Sequence, residues 1–332
     1  MRLLVVKFSG LRGALAATAG LRSVRERHPS AHVTFVTLPG SEPALEGCPA
    51  IVDVVGADPQ AGTFSLLAHL RRQSFDAAIA LGSHPAAGRL VALSGARLRV
   101  GAVRPAWWLR PFLHRQIVGS IVDPHEVVRD HEVLARALGF HAETPGMWFA
   151  PSRMQEHGLL VEEGRYAVIH PGSRRPERIL EIDKWAAVAR ALLASRAVER
   201  IVVSAGPTGE ERIMAEAICG LIGPSAMSTR GRLRFAQLAK LIKGSRLFLG
   251  SDSAVLQLAA AAGAPIVGVF GPSDYARARP WGGVHRVVRV DTSRYEGEPQ
   301  ADYLGRMDRA LARITALQVE QAAEEVLRIT AP

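Results

Sequence analysis

The chain has 332 residues, of which 48% are hydrophobic and 22% charged, a composition that excludes disorder and suggests two globular domains with ample core. Two cysteines, Cys48 and Cys219, cannot form a disulfide framework or a four-thiolate metal site, so a reducing, cytoplasmic setting is expected. The 41 Lys plus Arg against 31 Asp plus Glu give a net charge of +10 that splits evenly near residue 150, which excludes a basic nucleic-acid-binding tail.

The first half alternates short apolar runs with helical segments. Strands are predicted at 3–6, 33–36, 51–55, 77–81 and 98–101, with helices at 14–27, 64–73, 85–94 and 124–139. Residues 139–164, rich in Gly, Pro and polar side chains, read as a linker. The pattern then restarts, with strands at 166–169, 201–204, 247–250 and 266–270. Helices are expected at 182–194, 209–221, 234–243, 253–262 and 319–328. Strands alternating with helices of this length indicate parallel, doubly wound sheets. Two such α/β domains, 1–150 and 151–315, would face a central cleft, the usual place for a ligand. A closing helix in 316–332 would return to the N-terminal domain. The most apolar stretch, 253–270, is broken by Gln257, Gly263 and Pro265 and is not a membrane span; residues 1–6 are too short for a signal segment.

Three strand-to-helix junctions carry chemistry. Lys7-Phe8-Ser9-Gly10-Leu11-Arg12-Gly13 takes a strand into a glycine-containing turn at a helix head, where free N–H groups suit anions or sugar hydroxyls. His170-Pro171-Gly172-Ser173 ends a strand and precedes Arg174, Arg175 and Arg178, a candidate diphosphate cradle or else a solvated arginine loop. Gly250-Ser251-Asp252-Ser253-Ala254 opens a helix with small side chains that admit a phosphate, and is followed by Phe270-Gly271-Pro272-Ser273. There Asp252 either accepts sugar hydroxyls or, more commonly for such a residue, caps the helix.

In this order the three junctions resemble glycosyltransferase family 9, the ADP-heptose:lipopolysaccharide heptosyltransferases, along essentially the whole chain. The resemblance implies a GT-B fold, with the acceptor on the N-terminal domain and the nucleotide sugar on the C-terminal one. It implies donor contacts from His170, Gly172, Ser173, Arg174, Arg178, Asp252, Ser253 and Ala254. Leu233 would lie near the nucleobase, and Gln257 stands where the family usually has His. Lys7, Ser9, Gly10, Arg12 and Gly13 would lie on the acceptor side. The family motif continues Leu/Met-Gly-Asp, with that Asp taken as the base. Here the matching residues are Leu11, Arg12 and Gly13, so the carboxylate is missing.

Transfer with inversion needs a proton acceptor for the acceptor hydroxyl and stabilisation of the departing diphosphate. No Asp-x-Asp occurs, so no metal or other cofactor is expected, and Arg174 or Arg178 with the N–H groups of Ser253 and Ala254 would serve. For the missing base, Asp123, His125, Glu126, Asp130 and His131 are the nearby candidates, although together they fit a solvated helix face better.

Between Asp76 and Asp123 there is no acidic residue, while Arg104, Trp107, Trp108, Arg110 and Arg115 cluster. Aromatic rings among arginines suit an anionic glycolipid or membrane interface, against the plainer reading of tryptophans packed inside. The expected protein is an inverting, metal-independent transferase of a heptose or related sugar; the alternative, raised by Gly13, is a non-catalytic or weakly active sugar-nucleotide- or glycan-binding relative. A GT-B-type sugar-nucleotide epimerase is the remoter alternative. Its partners would be an ADP-linked sugar and a glycan or glycolipid acceptor, met in the cytoplasm or at the inner face of an anionic membrane.

Overall fold

A computed structural model describes residues 1–61, 64–101, 107–117, 125–293, 295 and 298–331. The chain divides into two compact units, Met1–Arg153 and Met154–Pro332.

The first unit runs β1 (Arg2–Val6), α1 (Leu11–Arg27), β2 (His32–Thr37), α2 (Pro43–Glu46), β3 (Ile51–Gly56) and α3 (Phe64–Arg72). It continues with β4 (Ala77–Ala80), α4 (Pro85–Leu93), β5 (Leu98–Gly101), β6 (Arg115–Gln116) and α5 (Glu126–Leu138). Its strands form one parallel sheet in the order β3-β2-β1-β4-β5-β6. The run Leu3 to Val6 is wholly buried because β1 lies mid-sheet with helices on both faces. Strand order reverses between β1 and β4, and in such sheets ligands bind at the carboxyl ends of the strands flanking that switch.

Helix α5 lies along α1. A Cβ at Gly20 would stand 2.6 Å from Leu134 Cδ1 and 3.1 Å from the His131 Cα, so the bare glycine is what lets the helices come this close. Gly139, in the left-handed region at φ 73°, ends α5. The expected linker beyond it is not free: Phe140, Met147, Phe149 and Ala150 are buried, and the Ala150 N–H donates to the Gly47 carbonyl at 2.9 Å.

The second unit repeats the plan with β7 (Tyr166–His170), α6 (Ile182–Ala194), β8 (Arg200–Val203), α7 (Gly209–Ile222), β9 (Ala226–Ser228) and α8 (Phe235–Lys243). Then come β10 (Leu247–Ser251), α9 (Ala254–Ala262), β11 (Ile266–Phe270), α10 (Tyr275–Ala278), β12 (His285–Arg289), α11 (Gln300–Asp308) and α12 (Ala316–Ile329). Its parallel sheet, β12-β11-β10-β7-β8-β9, has the same topology as the first, so its switch falls between β7 and β10. Helix α12 packs on α6 and on β10–β12, burying Val319, Ala323 and Val326 in the core of the second unit. Among the described residues no helix is long and apolar enough to cross a membrane.

Candidate active site

Each switch point carries a polar cluster. In the second unit β7 ends at His170, and Gly250 of β10 pairs beside it. A Cβ at Gly250 would meet the Phe248 ring at 2.9 Å and the His170 carbonyl at 3.2 Å, so the strand ends approach closely only with glycine there. The Ser251 hydroxyl donates to the Pro171 carbonyl (3.2 Å) and the Ser173 hydroxyl to the Asp252 carbonyl (3.1 Å), tying the two loops together. A short 3-10 turn, Pro176–Arg178, carries Arg178 over the same place, with its Nη1 2.8 Å from Asp252 Oδ2. The Asp252 side chain is fully buried and Arg178 is 15% exposed. Asp252 therefore does not cap α9. Ser253 does, its hydroxyl accepting from the Leu256 N–H at 3.3 Å, while Asp252 anchors a guanidinium.

His170 is buried, with Nδ1 3.0 Å from the Ser204 hydroxyl, and burial lowers its pKa to about 4, so the ring is neutral at pH 7. Arg174 is exposed, and Gly172 lies against the Glu211 carboxylate, which accepts from the Gly206 N–H. Two of the expected donor residues lie apart from this cluster. Gln257 is buried and donates to the Ala278 carbonyl at 2.7 Å, which fixes α10 rather than presenting an amide to a ligand. Leu233 lines a cavity of about 480 Å³ beyond β9, with His157, Met227, Thr229 and Arg230.

In the first unit Lys7 follows β1 directly and is 2% exposed. Its ammonium donates to the Gly13 carbonyl (2.7 Å) and to Asp130 Oδ2 (2.5 Å), and lies 2.9 Å from Glu126 Oε1. These three acceptors match its three N–H bonds. Burial works against the charged lysine, but Asp130 and Glu126 outweigh it and hold the pKa above the ordinary value. Burial pushes the Asp130 carboxyl up to about 6 against the pull of Lys7, with the Glu126 charge adding to the rise. Glu126 and Asp130, one turn apart, share the face of α5 turned to α1, so the expected solvated helix face is instead buried at Asp130 and 31% exposed at Glu126.

The other candidates near Glu126 are engaged elsewhere. His131 sits between Ser23 (3.2 Å) and Thr144 (3.1 Å), and His125 caps α5 by accepting from the Val127 N–H. Asp123 lies outside the described residues. Gly10 is the N-cap residue of α1, without a side-chain cap, and Arg12 stands in its first turn. The Ser9 and Ser273 hydroxyls, one in each junction region, are buried without a hydrogen-bond partner among the described residues.

The aromatic and arginine cluster is in part outward-facing. Trp108 is 47% and Phe112 46% exposed, with Arg110 and Arg115 exposed beside them, so Trp108 is not a packed core residue. Arg99 instead turns inward to the Phe112 and Ala96 carbonyls. Arg104 and the Trp107 side chain lie outside the described residues. Among the described residues no group of three or more His, Cys, Asp or Glu side chains is placed to hold a metal ion.

Two Rossmann-like units in one chain, each with a polar cluster at its switch point, are the make-up of the GT-B fold, and solved structures of that fold match the whole chain. Residues 63–305 match the model of glycosyltransferase family 9 (heptosyltransferase), and the chain belongs to that family. It is 27% identical to lipopolysaccharide heptosyltransferase 3 of Escherichia coli strain K12, over 96% of each chain. Among solved structures it resembles a family 9 glycosyltransferase from Veillonella parvula, with a TM-score of 0.81, 20% identity and 99% and 98% of the two chains covered. It also resembles E. coli heptosyltransferase WaaC bound to ADP-2-deoxy-2-fluoro heptose, with a TM-score of 0.78, 20% identity and 98% and 99% covered.

Proposed function

We propose that this glycosyltransferase moves a heptose or related sugar from an ADP-linked donor to a lipopolysaccharide-core or similar glycan acceptor, with inversion and without a metal. The observation that carries this reading is the β7/β10 junction. There His170 to Ser173, Arg178 and Asp252 to Ala254 converge on the N-terminus of α9, a place suited to a diphosphate. Asp252 holds Arg178 where the leaving charge would develop, and Arg174, in the same loop, is exposed and would add a second guanidinium. The cavity beside Leu233 would take the nucleobase. The first unit, with Ser9, Gly10, Arg12 and Gly13 around the β1 junction, would hold the acceptor.

A glycolipid acceptor also accounts for the exposed Trp108 and Phe112 among arginines, which would rest on an anionic membrane surface. The test is a thermal-shift and product screen with ADP-, UDP- and GDP-sugars, using deacylated lipopolysaccharide core as acceptor. Stabilisation by the ADP-sugar with heptose transfer supports the reading. Stabilisation without transfer reduces the protein to a binder, and indifference to all three donors overturns the reading.

A further inference from the structure

We propose that Glu126 is the general base of the transfer, the carboxylate that takes the proton of the acceptor hydroxyl. This rests on the function proposed above and supplies the one group the sequence lacks at position 13.

Position is the first argument. A Cβ built on Gly13 would stand 2.7 Å from Ser9 Oγ and 2.8 Å from Glu126 Oε1. The space into which a side chain at 13 would project is thus already taken by a carboxylate, delivered from α5 by its close approach to α1. That space adjoins the carboxyl end of β1 at the sheet's switch point.

Charge is the second argument. Lys7, Glu126 and Asp130 together carry one net negative charge when all are ionised. The shorter contact of Lys7 is to Asp130, which is 4% exposed, whereas Glu126 is 31% exposed and is the member of the three that an acceptor can reach. Glu126 is also the first residue of α5, where the helix dipole favours the ionised carboxylate before reaction. In the step itself the acceptor O–H bond breaks and its proton goes to Glu126. The acceptor oxygen bonds to the anomeric carbon, and the bond from that carbon to the diphosphate oxygen breaks with its electron pair. The cluster passes from one net negative charge to neutrality, while Lys7 and Asp130 stay paired and hold the carboxylate in place. Lys7 and Asp130 are accordingly positioning residues.

The test uses the full chain, ADP-heptose and deacylated lipopolysaccharide core. Glu126→Gln keeps the size and the oxygen facing Lys7 but cannot take the proton. The expected result is a fall in kcat of about 10²- to 10⁴-fold with the KM for ADP-heptose nearly unchanged. Glu126→Ala is expected to recover part of the lost rate when formate is added, a response that a merely structural residue would not give. Glu126→Asp, which keeps the charge, is the second variant should the glutamine form fail to fold. Its kcat is expected to fall tenfold or more, because a displaced base loses alignment with the hydroxyl. An active wild type with kcat within threefold of it for Glu126→Gln, or for folded Glu126→Asp, overturns this assignment alone. A folded wild type that does not turn over ADP-heptose overturns the proposed function, and the assignment with it.

Discussion

Adding a single methyl group at Gly13 tests the proposed acceptor-side geometry directly. In Gly13→Ala the new Cβ would stand 2.7 Å from Ser9 Cβ, 2.7 Å from Ser9 Oγ and 2.8 Å from Glu126 Oε1. Carbon contacts are comfortable at about 3.5–4.0 Å, so the overlap with Ser9 is about 1 Å. The Glu126 carboxylate can swing aside, but Ser9 Cβ moves only with its backbone. Overpacking of this kind costs about 1–3 kcal/mol. Replacing a helical glycine by alanine ordinarily returns about 0.5–1 kcal/mol. The net expectation is a loss of about 1–2 kcal/mol, a Tm lower by about 2–8 °C for a unit of this size. Because relief comes by displacing Glu126, transfer should also fall by at least about tenfold. Gly13→Asp should be worse, since it sets a third carboxylate against Glu126 and Asp130. Thermal and urea unfolding with a transfer assay on both variants decide the matter. Wild-type Tm and activity in Gly13→Ala would refute the packing argument, and a gain of turnover in Gly13→Asp would show that the missing carboxylate had no substitute.

Burial lowers the His170 pKa to about 4, so between pH 4 and 6.5 the unfolded chain binds the extra proton and stability rises with pH. The contribution, about 3 kcal/mol, is fully present above pH 6.5 and lost as pH falls through 4. The difference in unfolding free energy between wild type and His170→Asn across pH 4–7 isolates it from the opposing trend expected of Asp130, and a flat difference would contradict it. Arg178→Ala removes the guanidinium from buried Asp252 and should cost about 3–5 kcal/mol, with a higher KM for ADP-heptose. Arg178→Ala with Asp252→Asn should recover part of that stability but not the KM, as chemical denaturation and kinetics would show. Trp108→Ala with Arg110→Ala should weaken sedimentation with anionic vesicles and leave transfer to deacylated core unchanged; equal binding of the wild type to neutral vesicles would reject the electrostatic membrane contact.

The central strands were legible because full burial on both faces writes itself as unbroken apolar runs, as in β1, β7 and β11. The edge strands β6, β9 and β12 were not. Two have only two or three residues, and β12 mixes His and Arg with Val at partly exposed positions, so none stands out from loop. In the second unit the motifs lie at the ends of adjacent strands, and local reading brought most of them together. Gln257 escaped it, because its partner Ala278 lies 21 residues on in a helix too short to read. Asp252 and Ser253 are both good caps, and only the start of α9 decides between them. The cluster in the first unit depends on a contact between residues 123 apart, Lys7 and Asp130, which no local pattern encodes. The available signal was weaker: Gly13 and Gly20, two turns apart on α1, mark the face along which another helix can come close.

The two buried ion clusters bear on how this chain uses its excess of arginine and its few lysines. Buried ion pairs contribute little net stability, because desolvation cancels most of the attraction, while removing one partner is costly. A fold that needed only a core would fill such positions with apolar side chains. Yet each unit places a buried carboxylate against a cation at the carboxyl ends of the strands flanking its switch point, Asp130 with Lys7 in one and Asp252 with Arg178 in the other. The pairings differ in a way that matches the chemistry asked of each. In the second unit the cation is the partly exposed member, which suits a departing diphosphate. In the first the lysine is sealed and the partly exposed member is the carboxylate Glu126, which suits a hydroxyl that must lose its proton. On the proposed function, the same topology, built twice, would present positive charge to the leaving group and a proton acceptor to the incoming hydroxyl.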